Sequence, residues 1–130
     1  ELADNLMDRS SDKIKINVDI QTSQERLPEN IEQHLFRIVQ EACENAIRHA
    51  KAKNIALFGA LTPHSINLTI EDDGTGFDTQ LELSSLIANN HFGLAGMIER
   101  VRLIGADINI HSSTGGGTSI HITWKEKSNS

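Results

Sequence analysis

The chain has 130 residues, a formal net charge of −6 at pH 7 and a pI near 5.4. Its length predicts one domain with a sizeable core, and its acidic balance argues against a domain that binds nucleic acid directly through phosphates. No apolar run approaches the roughly 20 residues of a membrane span, so we expect no membrane contact by this domain. A single cysteine, Cys43, excludes an internal disulfide and favours a reducing, cytoplasmic location, whether or not the parent protein is membrane-anchored.

The first part of the chain predicts two elements that lead into a long helix. Residues 1–12 are expected to be the end of a linker helix that enters from a preceding domain. Apolar and polar residues then alternate from Lys13 to Ile20, which predicts a strand with one buried face. Pro28 interrupts the chain, and Asn30 with Gln33 three residues later predicts a capping box at the start of the next helix.

The long helix is predicted from about Asn30 to Lys51, because its apolar residues recur at intervals of three and four. Away from that apolar face, Glu41 and Asn45 lie one turn apart, and His49 lies one turn further on. Asparagine is a poor residue for a helix interior, so a bound ion would explain its presence. The alternative is an ordinary solvated helix surface, and these residues alone do not decide between the two.

The second part of the chain predicts a hairpin, a shorter helix and two final strands. Alternation between residues 55 and 70, broken at Pro63, predicts the hairpin. Residues 78–92 are largely polar and predict a mobile loop. A helix is expected from Gly93 to Gly105, with Gly105 terminating it. Residues 108–110 and 120–124 then alternate as strands.

This order of elements predicts a fold class. Every predicted strand has one apolar and one polar face, whereas a doubly wound parallel sheet needs strands that are apolar throughout. We therefore expect an α/β (α+β) two-layer sandwich, in which a mixed, mostly antiparallel sheet carries its helices on one face.

Three glycine-containing motifs are candidates for ligand binding. Residues 72–76, Asp-Asp-Gly-Thr-Gly, follow a strand and let the backbone pass close to a ligand, although an Asp-Gly turn is the alternative. Residues 93–97, Gly-Leu-Ala-Gly-Met, open a helix whose free amides attract phosphate. Residues 115–117 are three glycines directly before the hydroxyl of Thr118, and they suit a tight hairpin turn equally well. A Walker A loop and zinc-ligand spacing are both absent from the sequence.

Taken in order, four motifs resemble the ATP-binding domain of sensor histidine kinases. They are Glu-x-x-x-Asn-Ala-x-x-His from Glu41, Asp-x-Gly-x-Gly from Asp72, Gly-Leu-x-Gly-Met from Gly93, and Gly-x-Gly-Thr ending at Thr118. This domain belongs to the GHKL superfamily, which also includes gyrase and certain chaperones, and the resemblance implies its Bergerat-type ATP-binding fold. Residues 35–42 and 96–101 are similar to the nitrate-sensor and desaturase-sensor type of kinase.

The resemblance implies a role for each motif residue. Glu41 would be catalytic, by orienting or deprotonating the attacking group, and Asn45 would bind Mg²⁺ through its side-chain oxygen. Asp72 would accept a hydrogen bond from the adenine amino group. The other residues implied to contact or shape the ATP site are His49, Gly74, Gly76, Gly93, Leu94, Gly96, Met97, Gly117 and Thr118.

The resemblance also implies the function and the partners of the chain. Residues 13–125 would form the catalytic domain and residues 126–130 a polar tail. The domain would transfer the γ-phosphoryl group of Mg-ATP to a histidine on a dimerisation domain outside this chain, which residues 1–12 would join. The partner that receives the phosphate would be a response regulator with a helix-turn-helix output, and the isolated domain is expected to be monomeric.

Two alternatives and two departures accompany this expectation. An anti-sigma-factor-type serine kinase has the same fold, and a non-catalytic nucleotide- or partner-binding module is also compatible with it. Asp73 occupies a position where the family often has asparagine, and Trp124 ends a strand where proline is common. Neither residue has a role in the implied site.

Overall fold

The computed structural model describes residues 14–76, 84–85, 88 and 93–127. The predicted linker segment 1–12 lies outside the described residues, as does the predicted mobile loop 78–92 apart from residues 84–85 and 88. The helices and strands are β1 (Lys15–Thr22), α1 (Glu29–Arg48), β2 (Asn54–Thr62), β3 (Ser65–Asp72), α2 (Leu94–Leu103), β4 (Asp107–Ser112) and β5 (Thr118–Lys125).

The five strands form one mixed sheet with the order β1-β2-β3-β5-β4. Only the β1–β2 pair is parallel, and the three other pairs are antiparallel. Apolar residues of the sheet's inner face pack with those of α1 and α2 into one core that includes Ile38, Leu68, Met97 and Ile122. The opposite face is largely polar. The predicted two-layer arrangement with a mostly antiparallel sheet is therefore confirmed.

The strand register places three polar side chains at one end of the inner face. Asp72 of β3 pairs with Thr118 of β5, and Thr118 pairs in turn with Ser112 of β4. Residues that pair directly across strands project from the same face. A row of carboxylate and hydroxyl groups therefore borders the apolar row formed by Ile110 and Ile120.

The start of α1 differs from the prediction. Pro28 occupies the N-cap position without a side-chain cap, and its carbonyl oxygen accepts the first helical hydrogen bond from the amide of Glu32 at 2.9 Å. The predicted capping box at Asn30 and Gln33 was wrong, because Pro28 fixes its own φ at −51° and the helix begins directly after it. Gln33 instead donates to Glu29 at 3.4 Å.

The end of α2 agrees with the prediction. Gly105 has a φ of 73°, its amide donates to the carbonyl oxygen of Arg102 at 3.0 Å, and the amide of Ala106 donates to Val101 at 3.0 Å. These two bonds form a Schellman motif, which requires the left-handed conformation that glycine adopts without strain. The glycine after the last apolar residue was thus a reliable signal for the helix end.

Cys43 lies in the core of α1, as its position on the apolar face predicted. Its side chain is fully buried, and burial, followed by the nearby charges of Glu44 and Asp72, raises the pKa of the thiol to about 12. A thiol with this pKa is almost entirely protonated at neutral pH, so Cys43 serves as a small apolar residue.

Two residues of α1 provide a test of this packing. Ile38 is 0% exposed and Phe36 is 49% exposed on the same helix. Ile38→Ala should lower the free energy of unfolding by about 3 kcal/mol, because it leaves a cavity between α1 and the sheet. Phe36→Ala should cost about 1 kcal/mol or less. Urea denaturation measures both values, and equal losses would contradict the placement of α1.

Candidate functional site

A pocket that opens to solvent lies between α1 and the inner face of the sheet. It forms where the second half of the helix faces the row that includes Asp72 and Thr118. The residues that line it are Ala42, Asn45, Ala46, His49, Ala50, Asp72, Thr75, Gly76, Leu94, Ile110, Thr118 and Ile120.

The helix side of the pocket is built largely from alanine. Ala42 and Ala46 lie about one turn apart on α1, so their small side chains face the sheet in one row, and Ala50 follows directly after the C-cap of the helix. Asn45 and His49 flank that row and bring polar groups to the same opening. The apolar spacing of the helix predicts these alanines as core residues, and their role as pocket lining was not predicted. The available signal was the change from leucine and valine at positions 35 and 39 to alanine at positions 42 and 46 on one helix face.

Asp72 supplies the carboxylate of the pocket. The backbone amide of Gly74 donates to its Oδ1 at 2.8 Å, which fixes the orientation of the carboxylate. Burial raises the pKa of Asp72 above its ordinary value, as does the neighbouring charge of Asp73, whereas hydrogen bonds from the amides of Gly74 and Thr118 oppose the rise. The result is a partly desolvated and oriented hydrogen-bond acceptor.

Thr118 and Ser112 form a hydroxyl pair beside Asp72. Their Oγ atoms lie 2.9 Å apart, and the Ser112 hydroxyl also donates to the carbonyl oxygen of Gly117 at 2.8 Å. This arrangement holds the start of β5 against the end of β4. The hydroxyl of Thr118, predicted from its place after the glycines, therefore lines the pocket.

Gly115 has a φ of 80° in open space, and Gly117 is the member of the glycine triplet that has no room for a side chain. It is buried with a φ of 79°, and a Cβ on it would lie 2.1 Å from the carbonyl oxygen of Asp72. Gly116 has no positive φ, and a Cβ there would meet mainly the movable Ser113 hydroxyl. The triplet thus lets the chain pass directly over the backbone that carries the pocket carboxylate.

Asp73 has a structural role that the sequence analysis missed. Its carboxylate accepts hydrogen bonds from the amides of Lys53 and Asn54 at 2.8 and 2.9 Å and from the Asn54 side chain at 2.7 Å. The hydrogen bond from the Asn54 side chain is the main cause that lowers the pKa of Asp73. Asp73 therefore ties the loop after β3 to the start of β2, away from the pocket.

A second cavity lies between α1 and α2, and its lining includes Glu41, Gly93, Gly96 and Met97. Gly93 has a φ of 66° and is the N-cap of α2. A Cβ on it would lie 1.7 Å from Oε1 of Glu41, so the Glu41 carboxylate rests directly against the Gly93 backbone. Met97 is buried in the core, with 1% of its surface exposed.

The structure thus distributes the predicted site residues over two spaces that share no lining residue. Six line the pocket, namely Asn45, His49, Asp72, Gly76, Leu94 and Thr118. Gly74 and Gly117 are buried behind Asp72, while the remaining four surround the second cavity. In the described part of the chain, no three His, Cys, Asp or Glu side chains gather as a metal site, and no helix is long and apolar enough to cross a membrane.

The glycine triplet provides a paired test. Gly117→Ala should lower the free energy of unfolding by at least about 2 kcal/mol, because it combines a left-handed φ with a backbone clash. Gly116→Ala should change it by less than about 0.5 kcal/mol. Thermal unfolding of both variants gives the comparison, and a Gly117→Ala protein as stable as the wild type would show that the turn has been misplaced.

Comparison with known proteins identifies the family. A model of the histidine kinase-, DNA gyrase B- and HSP90-like ATPases matches residues 30–128. The signal transduction histidine-protein kinase/phosphatase DegS of Bacillus subtilis is 38% identical over 112 residues, which are 85% of this chain and 29% of that protein. The nitrate/nitrite sensor protein NarX of Escherichia coli is 27% identical over 109 residues, covering 84% of this chain and 17% of that protein.

Solved structures agree on the fold. The histidine kinase domain of the Erythrobacter litoralis EL346 blue-light activated histidine kinase superimposes with a TM-score of 0.73 at 20% identity, covering 95% of this chain and 57% of that one. This chain spans less than a third of the length of the two curated relatives. The resemblance inferred from the four motifs is confirmed, and the chain belongs to the ATP-binding histidine kinase-, DNA gyrase B- and HSP90-like ATPase family, as a domain homologous to those of sensor histidine kinases.

Proposed function

We propose that this chain is the catalytic domain of a two-component sensor histidine kinase that transfers the γ-phosphoryl group of Mg-ATP to a histidine outside residues 1–130. The observation that carries this proposal is the pocket between α1 and the sheet, which gathers Asn45, Asp72 and Thr118 around an apolar floor. Residues 13–125 would form the catalytic domain, residues 1–12 the end of a linker helix, and residues 126–130 a polar tail.

The end of the pocket at the sheet suits the adenine base. Ile110 and Ile120 provide a flat apolar floor, and the alanine row of α1 leaves room for a planar ring above it. The Asp72 carboxylate, oriented by the Gly74 amide, would accept a hydrogen bond from the exocyclic amino group. Thr118 stands beside it in the strand register. A partly buried, oriented acceptor of this kind would discriminate against bases without a donor at that position.

The end of the pocket towards α2 suits the phosphates. The first turn of α2 presents backbone amides that would donate to phosphate oxygens, and His49 would contact them from α1. Mg²⁺ commonly takes only one or two protein oxygens together with phosphates and water, so the side-chain oxygen of Asn45 is a sufficient protein ligand. The bound metal would supply neutralisation of the phosphate charge.

Glu41 is the proposed catalytic residue. In the transfer step an imidazole nitrogen of the acceptor histidine forms a bond to the γ-phosphorus while the bond to the ADP oxygen breaks. The attacking nitrogen uses its free lone pair, and the proton on the other ring nitrogen leaves as the bond to phosphorus forms. Glu41, placed between α1 and the Gly93 backbone, would accept a hydrogen bond from that other N–H and so orient the imidazole, or would accept its proton. Positioning and charge stabilisation supply most of the catalysis in such transfers.

The proposed function also requires partners. The phosphoacceptor domain of the same parent protein would be the immediate substrate, and a response regulator with a helix-turn-helix output would take the phosphate onward. Relatives whose names say histidine kinase favour histidine over serine as the acceptor. We further propose that the domain works in the cytoplasm, binds no nucleic acid directly and is monomeric when isolated.

Calorimetric titration with a non-hydrolysable ATP analogue tests the proposal. The chain should bind the analogue in the presence of Mg²⁺, because the pocket is already formed. It should not phosphorylate itself with labelled ATP, because the acceptor histidine lies outside residues 1–130. Absence of binding at millimolar analogue would contradict the proposal.

Asp72→Asn separates ligand recognition from folding. It should weaken analogue binding at least about tenfold, because a carboxylate acceptor is replaced by an amide that also presents a donor. Burial raises the pKa of Asp72 in the native state, so its ionised carboxylate lowers the free energy of unfolding at pH values above that raised pKa. This loss of stability disappears at pH values below the pKa of the carboxyl in the unfolded chain, about 3.9.

At pH 7 the free energy of unfolding of Asp72→Asn should therefore be at least as large as that of the wild type. The difference between the two proteins should shrink as the pH falls towards about 4. Glu71→Gln is the matched control, because it removes the same charge from the opposite face of β3. Unchanged affinity in Asp72→Asn would show that this carboxylate does not contact the base.

Gly96→Ala should weaken binding of the ATP analogue and increase the stability of the domain. Gly96 lies in the first turn of α2, is exposed, and a Cβ on it would meet nothing within 4 Å. Alanine should therefore stabilise the helix by about 0.5 to 1 kcal/mol. The same methyl group would obstruct phosphates at the helix start and weaken analogue binding. Ala95→Gly, in the same turn, is the reciprocal control and should lose stability while keeping its affinity.

A further inference from the structure

The loop that follows β3 forms one wall of the candidate pocket and also orients its carboxylate. We call residues 73–76 the pocket loop. Thr75 and Gly76 line the pocket, and the amide of Gly74 donates to Oδ1 of Asp72 at 2.8 Å. The shape of the pocket and the direction of the carboxylate therefore both depend on where this loop lies.

Asp73 fastens the start of the pocket loop to β2. Its carboxylate accepts three hydrogen bonds, from the amides of Lys53 and Asn54 and from the Asn54 side chain. The amide of Asp73 also donates to the carbonyl oxygen of Asn54 at 3.2 Å. The carbonyl oxygen of Lys53 in turn accepts from the amide of Lys15 at 2.9 Å, where β1 and β2 begin to pair. The loop is thus attached to the junction of two paired strands.

The middle of the pocket loop is held in a different way. The amide of Thr75 donates to the carbonyl oxygen of Ala50 at 2.9 Å, and the carbonyl oxygen of Thr75 accepts from the amide of Gly115 at 2.6 Å. These backbone bonds do not require a particular side chain, whereas the attachment at the start of the loop depends on the carboxylate of Asp73. Asp73 is exposed, so water can replace it at the freed donors and the fold can survive its removal.

We propose that Asp73 is a positioning residue for the nucleotide, because it holds the pocket loop where the amide of Gly74 orients Asp72. Asp73 itself is outside the lining of the pocket. This inference rests on the proposed function, and it adds a residue that sets the affinity for the nucleotide without touching it. Binding groups keep their geometry when a second layer of contacts supports them.

Charge alone predicts the opposite effect for the removal of Asp73. The proposed ligand is an anion, so the loss of a nearby carboxylate should by itself strengthen binding. The loss would also remove one of the causes that raise the pKa of Asp72, which makes that acceptor easier to ionise. Weaker binding in an Asp73 variant therefore reports the position of the loop and not the lost charge.

Calorimetric titration of this chain with the non-hydrolysable ATP analogue and Mg²⁺ tests the inference. Asp73→Ala should raise the Kd about tenfold, because it removes three hydrogen bonds to a charged acceptor. Asp73→Asn should stay within about twofold of the wild type, because the introduced oxygen accepts from both amides and the introduced amino group donates to Asn54 after its amide turns over.

Glu71→Ala is the matched control for Asp73→Ala. It removes a carboxylate at the same sequence distance from Asp72, but from an exposed position on the opposite face of β3. The Kd of this control should not rise. A rise equal to that of Asp73→Ala would show that any charge lost near Asp72 has the same effect, and it would overturn the inference.

An exchange of the two side chains is the sharper test. Asn54→Asp alone places two carboxylates where the wild type has a hydrogen bond of 2.7 Å, and their repulsion should raise the Kd. Asn54→Asp combined with Asp73→Asn restores a donor between the side chains and should return the Kd to within about twofold of the wild type. Thermal unfolding of each variant accompanies each titration, because a residue that only stabilises the fold changes the melting temperature and leaves the Kd of the folded protein unchanged.

The results distinguish failure of the inference from failure of the proposed function. A rise in Kd for Asp73→Ala that Asp73→Asn and the exchanged protein both lack supports the inference. If the wild type binds the analogue and Asp73→Ala binds it equally well, the inference is overturned while the proposed function stands. If Asp73→Ala does not fold, Asn54→Asp and the exchanged protein decide, and an exchanged protein as weak as Asn54→Asp overturns the inference. If the wild type does not bind, both fail.

Discussion

The site depends on where the large side chains of α1 stop. Ile31, Leu35 and Ile38 fill the space between the helix and the sheet over the first half of α1, and alanines replace them over the second half. Protein interiors are normally packed to crystal density, and unfilled space costs dispersion energy. The taper from large to small residues along one helix face therefore creates the pocket without bending the helix away from the sheet.

Two adjacent aspartates have different roles because their side chains face different surroundings. Asp72 faces the pocket, where burial raises its pKa, and Asp73 faces the start of β2, where hydrogen bonds from Asn54 and Lys53 lower its pKa. One carboxylate is thus kept as a partly desolvated acceptor, and the other anchors the loop that presents it. The charge of Asp73 is among the causes that raise the pKa of its neighbour, so the anchor also contributes to the environment of the acceptor.

The sequence allowed the prediction of features that depend on local pattern. Alternation predicted the strands, three- and four-residue spacing predicted both helices, and Gly105 marked a helix end because glycine alone adopts its φ without strain. The four motifs nominated Asn45, Asp72 and Thr118, and the structure brings these three together in one pocket. Features that arise from packing between distant segments could not be predicted in this way.

The alanine row and the role of Asp73 are of this second kind, whereas the capping error has a local cause. Asn30 and Gln33 have the right spacing for a capping box, but Pro28 fixes the helix start before they can act. The alanines look like core until the strand that faces them is known. Asp73 finds its partners about 20 residues earlier in the chain, because β2 and β3 are neighbours in the sheet. To predict each feature, one would have to know either the strand register or the constraint that Pro28 places on the helix start.

The contact between Glu41 and Gly93 joins the two helices at the point where the proposed chemistry takes place. Gly93 adopts a left-handed φ, and the absence of a Cβ leaves room for the Glu41 carboxylate against its backbone. A change in the backbone at the start of α2 must therefore move this carboxylate or lose the contact. Since the amides proposed to hold the phosphates begin at the same residue, we expect a nucleotide bound there to affect the placement of the proposed catalytic side chain.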